Sequence, residues 1–147
     1  MNIELNDEAV VRGILEMDIY RRGVLIEHIV EHNIVVNGGR NRLAALITGN
    51  STKRVTKIGF GTSGVIPEIS NLTLQDLYTK TIDSAVVVGN DAVFKWSLAE
   101  NEPPAGLDIR EFGLITEDNI LVTRLVRARV IGKDVDMTID GTYTLHF

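Results

Sequence analysis

The sequence predicts a mainly β protein: an antiparallel β-sandwich of jelly-roll-like form, with one short α-helix and an N-terminal β-hairpin. Three observations carry that expectation. Apolar residues recur at every second position in several short segments. Turn signals separate those segments at regular intervals. One stretch, NGGRNRLAALITG, has the composition and spacing of a helix instead.

The elements follow in order. In VVRGILEMDIY, residues 10–20, Val11, Leu15, Met17 and Ile19 share one face at period two, as on a strand. Arg21-Arg22-Gly23 signals a turn, and VLIEHIVEHNIVV after it is rich in β-branched residues, so residues 10–36 read as a long hairpin. Asn37 is placed to cap a helix with Leu43, Leu46 and Ile47 as its apolar stripe and Gly49 at its end. VTKIGFG, 55–61, is a strand running into a Gly-rich turn; residues 65–80 are irregular, with a helical turn around LTLQDLY. TIDSAVVVG and AVFKWSLAE pair across an Asn90-Asp91 turn, the second with Ala92, Phe94, Trp96 and Leu98 on one side. ENEPPAG, 100–106, is a loop. DIREFGLIT and ILVTRLVRARVI form a hairpin across Glu117-Asp118-Asn119, and MTIDGTYTLHF closes the chain, with a turn or bulge at Asp140-Gly141. Nothing divides residues 1–147 into two domains.

Composition bounds the function. A net charge of -5 disfavours sequence-independent binding to nucleic acid or to an anionic membrane. No apolar run approaches the roughly 20 residues that span a bilayer, and MNIELNDEAV lacks the layout of a signal peptide. The absence of cysteine rules out disulfides and thiolate metal sites and fits a reducing cytoplasm.

Two motifs invite a chemical reading. His28, Glu31 and His32 spell the inverted zinc-protease spacing. On a strand, however, residues four apart lie roughly 13 Å from each other, too far to share an ion bound at about 2 Å. No metal site is expected. NGGRNR lacks the Gly-Lys-Ser/Thr ending of a phosphate loop and follows a hairpin rather than a parallel unit. Gly38 and Gly39 are expected to turn the chain sharply into the helix, with Arg40 and Arg42 solvated or paired to an acid. Glu100, Glu102, Asp108 and Glu111 read as a charged loop rim rather than paired catalytic carboxylates, and His146 has no triad context. Arg124, Arg127 and Arg129 are conspicuous on one strand, 127 and 129 on one face and 124 on the other. They read as edge charges or as partners for Glu16, Asp18, Glu27 and Glu31 across a subunit boundary. No catalytic, cofactor-binding or metal-ligating residue is expected.

Taken in order, the elements from about residue 33 to 147 resemble small phage virion proteins of the tail-fibre, tail-collar and baseplate-attachment type. VVNGGRNRLAALITG is similar to that family's strand, Gly turn and short helix ending in Gly. VTKIGFGTSG and NLTLQDLYTKTI match its Gly-rich turn and the segment after it. DIREFGLI supplies an E-x-G-L strand through Glu111, Gly113 and Leu114; NILVTRLVRARV, IGKDVDM and a closing strand complete the order. The resemblance implies a non-enzymatic structural component of a phage or phage-like particle, a tail, baseplate or fibre-attachment subunit, assembled in the bacterial host cytoplasm and localised to the virion. It implies partners in copies of itself and other virion proteins, with no cofactor, small-molecule substrate, nucleic acid or membrane. Glu111 and Gly113 become fold determinants: a carboxylate accepting backbone amides, and a strand Gly where another backbone comes close. With no fibre stalk after Phe147, an adaptor, plug or decoration subunit is expected rather than a whole fibre. A capsid decoration protein is the first alternative, a small β-barrel enzyme or ligand-binding protein the second. The hairpin of residues 10–36 lies outside the resemblance and reads either as an assembly arm or as two more strands of the core sheet.

Overall fold

The computed structural model describes residues 11–147. The reading of MNIELNDEAV and the placement of Val10 in the hairpin lie outside them. The hairpin itself is present: β1 (Arg12–Arg21) pairs antiparallel with β2 (Val24–Val35). Arg22 and Gly23 join them at φ of 50° and 80°, the left-handed pair whose twist suits a two-residue hairpin. Leu15, Met17 and Ile19 point inward and are buried, so the period-two pattern holds. β1 pairs along its whole length with β9 (Met137–His146) as well. Of the two readings of residues 10–36, β1 follows the core-sheet one. It is not part of a detachable ribbon.

The remaining elements are α1 (Asn37–Thr48), β3 (Val55–Gly61), β4 (Tyr78–Thr81), β5 (Ser84–Val88), β6 (Asp91–Leu98), β7 (Leu107–Thr116) and β8 (Thr123–Lys133). All nine strands belong to one antiparallel sheet in the order β4-β3-β7-β8-β2-β1-β9-β6-β5. The sheet curls over on itself. Phe60 of β3 lies 5.3 Å, ring centroid to centroid, from Trp96 of β6, although the two strands stand near opposite ends of the order. Between β4 and β5 the chain crosses from one end to the other, the Ile82 amide donating to Thr56 and the Asp83 amide to Lys95. Inward residues of both halves share one core, including Leu15, Ile58, Phe112, Leu125, Ile139 and Tyr143. Two separately bonded sheets were expected, but here a continuous ladder joins the halves at β2 and β8 through two residue pairs, Ile34 with Arg124 and Val35 with Thr123.

Several local expectations shift. The β5–β6 turn uses Gly89 and Asn90, one residue earlier than expected, because Gly89 takes the positive φ of 60°. The expected strand over 81–89 is divided by the crossing at Ile82-Asp83, and Tyr78 begins β4 instead of ending a helical turn. Asp140 and Gly141 lie inside β9, unbulged, with Gly141 against the Trp96 indole. On α1, Val36 takes the capping position and Asn37 is already helical. Ile47 is exposed, while Leu43 and Leu46 are half-buried. Gly49 closes the helix in the left-handed conformation as expected, at φ 77°. Gly39 is required for a different reason than a sharp turn: a Cβ there would collide with the Val122 backbone, so the helix start packs directly on the β7–β8 connection.

Candidate functional site

The most completely built polar feature is the carboxylate of Glu111 on β7, whose side chain is 1% exposed. Its Oε1 accepts from Arg124 Nε at 2.9 Å and Nη2 at 2.8 Å. Its Oε2 accepts the backbone amides of Ser63 at 3.0 Å and Gln75 at 2.9 Å. Burying two opposite charges is costly unless their remaining hydrogen-bonding capacity is met, and here it is. Arg124 Nη1 donates to Asn71 Oδ1 at 3.0 Å, and the same oxygen accepts the Glu68 amide at 2.8 Å.

Strand register brings these groups together. Gly61 stands opposite Glu111 in the β3–β7 ladder, and a side chain there would overlap the carboxylate. Gly113 is two residues on. A Cβ at that position would lie 2.6 Å from the Thr123 carbonyl oxygen and 2.7 Å from Leu121 Cδ1. The close approach of β8 that Gly113 allows is what sets Arg124 against Glu111.

The ion pair fastens one loop. Residues 62–77 have no regular structure, a length that is uncommon for a connection in a compact domain. Their base closes with the Thr62 amide on Gln75 and the Thr62 hydroxyl on Asp76. Their middle is held by Asn71 and by the Asn37 amide on Ile69. Leu74 is buried against Val36, Ile115 and Leu121. Outward, the same loop shows Val65 (68% exposed), Ile66 (79%), Ile69 (54%) and Leu72 (81%). Four large apolar side chains of this anchored loop therefore stand in solvent instead of joining the core. Sequence reasoning treated the segment as irregular and did not single out these residues or Asn71. Four apolar positions without periodicity in a stretch that cannot be a strand were the available signal.

The other candidates are dispersed. β2 is an extended strand through both His28 and His32, as expected, and His28 sits on the outer face against Asp18 and Glu16 rather than with His32. Among the described residues no group of three His, Cys, Asp or Glu is set to hold a metal ion. Arg40 is exposed; Arg42 makes a two-pronged pair with Asp118 at 2.6 and 2.7 Å, which holds the Asp118 carboxyl well below the ordinary carboxylate range. Glu102 pairs with Lys80 at 2.9 Å, which lowers its pKa, whereas Glu100 and Asp108 are exposed and Glu111 is turned inward. The four carboxylates therefore share no site. Lys133 is buried nearby, donating to the Ala99 and Asp134 carbonyls, and burial lowers its pKa. His146 pairs with Asp91 at the end of β9.

Two of the three arginines, read from sequence as edge charges or as partners for acids across a subunit boundary, find their acids inside the chain. Arg124 meets Glu111; Arg127 reaches Glu27 at 3.3 Å and Glu31 at 3.4 Å; Arg129 is exposed. Arg127 and Arg129 do not share an environment because β8 bulges: residues 127–130 stand opposite Arg110 alone. No helix among the described residues is long and apolar enough to cross a membrane. Comparisons with family models, curated proteins and solved structures give no match to this chain.

Proposed function

We propose that the chain is a non-enzymatic structural subunit of a phage or phage-like particle, a tail, baseplate or fibre-attachment component that works by docking to copies of itself and to other virion proteins. The observation that carries this reading is the loop of residues 62–77, fastened by a buried ion pair yet displaying Val65, Ile66, Ile69 and Leu72. A stable scaffold that presents apolar side chains on a pinned loop suits permanent assembly, where a partner removes them from water. The ordered resemblance of residues 33–147 points the same way. In this reading the two halves of the curled sheet, with Phe60 and Phe112 packed on Trp96 between them, serve as the two layers of a jelly-roll-like sandwich.

The test is particle incorporation. Particles purified from the host that encodes the chain should contain it in fixed copy number, and Ile66→Asp with Leu72→Asp should fold but be left out. A chain found only outside particles, or a double variant that enters them normally, would refute the proposal. A chain found in the head rather than the tail would select the capsid-decoration alternative.

A further inference from the structure

The curled sheet leaves two terminal strands, and they are not alike. β4 is four residues long and carries Lys80, which is engaged with Glu102. β5, Ser-Ala-Val-Val-Val, has no charged residue, no proline and no bulge, and all five residues are exposed. It pairs with β6 on one side, and among the described residues no strand pairs with the other. Natural edge strands are blunted by charge, proline or brevity unless they are meant to be covered. Beside β5 lies an apolar groove of about 230 Å³ floored by Phe94 and Leu145, walled by Leu43 and Leu46 of α1, and edged by Val87 and Phe147.

We infer that β5 pairs antiparallel with the β5 of a second copy of this chain, about a two-fold axis through Val86; this rests on the assembly reading above and names its self-docking surface. A two-fold axis normal to a sheet keeps each face on its own side, so facing residues must share parity in the strand. Pairing 84 with 88, 85 with 87 and 86 with 86 meets that condition, and it is the register that gives all five residues a partner. No charge falls in the pairing. On the groove face, Ala85 meets the partner's Val87, which joins the two apolar grooves across the seam. The edge of β2 is longer and also shows Val24, Leu25, Ile26 and Val30, but unlike β5 it carries charged side chains, Glu27 and Glu31. A two-fold pairing centred on Ile29 would set Glu27 against the partner's Glu31, and Arg127 already occupies that edge. Five paired residues bury less than the ~800 Å² per partner of a standard interface, so the grooves must contribute and the dimer forms at high local concentration, as in an assembling particle.

The chain has no cysteine, so one introduced thiol reports the axis directly. Facing residues of an antiparallel pair lie about 4.5–5.5 Å apart between Cα atoms, within disulfide reach. Val86→Cys should cross-link under mild oxidation, whereas Val87→Cys, two steps off register, and Val30→Cys on β2 should not. Sedimentation of the wild type should shift toward twice the monomer mass as concentration rises, and Val86→Lys should remove that shift with an unchanged melting temperature. A wild type that stays monomeric throughout, or cross-linking at 30 or 87 as fast as at 86, overturns the inference. If Val86→Lys dimerises like the wild type, the β5 edge is likewise excluded. Wild type that enters particles while failing these tests separates a wrong edge from a wrong function.

Discussion

Arg124 and Arg127 stand three residues apart on one strand, carry the same group, and each finds a carboxylate on another strand. Both guanidinium groups are buried, but the acids they meet differ in burial, distance and remaining hydrogen bonds. Arg124 meets one buried oxygen at 2.8 and 2.9 Å, and its partner's other oxygen is filled by two amides. Arg127, itself buried, reaches two carboxylates at 3.3 and 3.4 Å whose side chains are 43% and 37% exposed. The first is a fastening that the fold cannot release without stranding a charge. The second is a loose bridge over the seam where β2 and β8 part, with acids that turn to water if it is lost.

The largest expected effect is therefore at Glu111. Glu111→Ala strands the Arg124 guanidinium and frees the Ser63 and Gln75 amides, and should cost about 3–5 kcal/mol in urea unfolding. Limited proteolysis should then cut first within residues 62–77. A loss under about 1 kcal/mol with the loop still protected would erase the distinction between the two arginines. Next comes Gly113→Val. Its side chain has nowhere to go against the Thr123 carbonyl and Leu121, and overpacking of this kind costs about 1–3 kcal/mol. Because the strain pushes β8 away from β7, the variant should also weaken the Arg124–Glu111 contact, so Gly113→Val and Glu111→Ala should be less than additive. Strict additivity would show that Gly113 acts on packing alone. Smaller again is Arg127→Met, which keeps the buried stem and removes the charge. It should shift stability by about 1 kcal/mol or less; a loss as large as that of Glu111→Ala would contradict the comparison.

Sequence patterning anticipated the strands well where one face is buried. The inward sets Leu15–Met17–Ile19 and Phe94–Trp96–Leu98 follow directly from period two, since a half-buried strand writes its orientation into alternate residues. It failed where a tertiary partner decides. The break at Ile82-Asp83 exists because the chain must cross between the halves, and nothing local marks it. The bulge at 127–130 undid the expected sharing of a face by Arg127 and Arg129. At the site, Glu111 was identified as an acceptor of backbone amides, but its donors lie 48 and 36 residues away and its cation 13. Pairing at that range depends on topology, and a strand pattern carries orientation, not neighbours.

The smallest effect is at His28, and it tests the same contrast on the outer face of the sheet. There the imidazole of β2 lies beside Asp18 and Glu16 of β1, and Asp18 stands directly opposite Asp140 of β9. The hydrogen bond to Asp18 raises the His28 pKa above its ordinary value of 6.5, with the charges of Asp18 and Glu16 adding to it and partial desolvation opposing. A raised pKa means that the folded state binds the proton more tightly than the unfolded chain. The resulting stabilisation is complete below pH 6.5 and is lost as pH rises through the folded value. Unlike the buried Arg124 pair, and like the half-exposed acids that Arg127 reaches, this arrangement is open to water, so the loss should be small and should diminish in high salt. Proton resonances of the His28 ring should titrate above those of a free imidazole, and Asp18→Asn should bring the midpoint down. In thermal melts, wild type should lose slightly more stability between pH 6 and 8 than His28→Gln. A His28 midpoint at or below the ordinary value, or one indifferent to Asp18, would mean that the cation on this face is not held by its carboxylates at all.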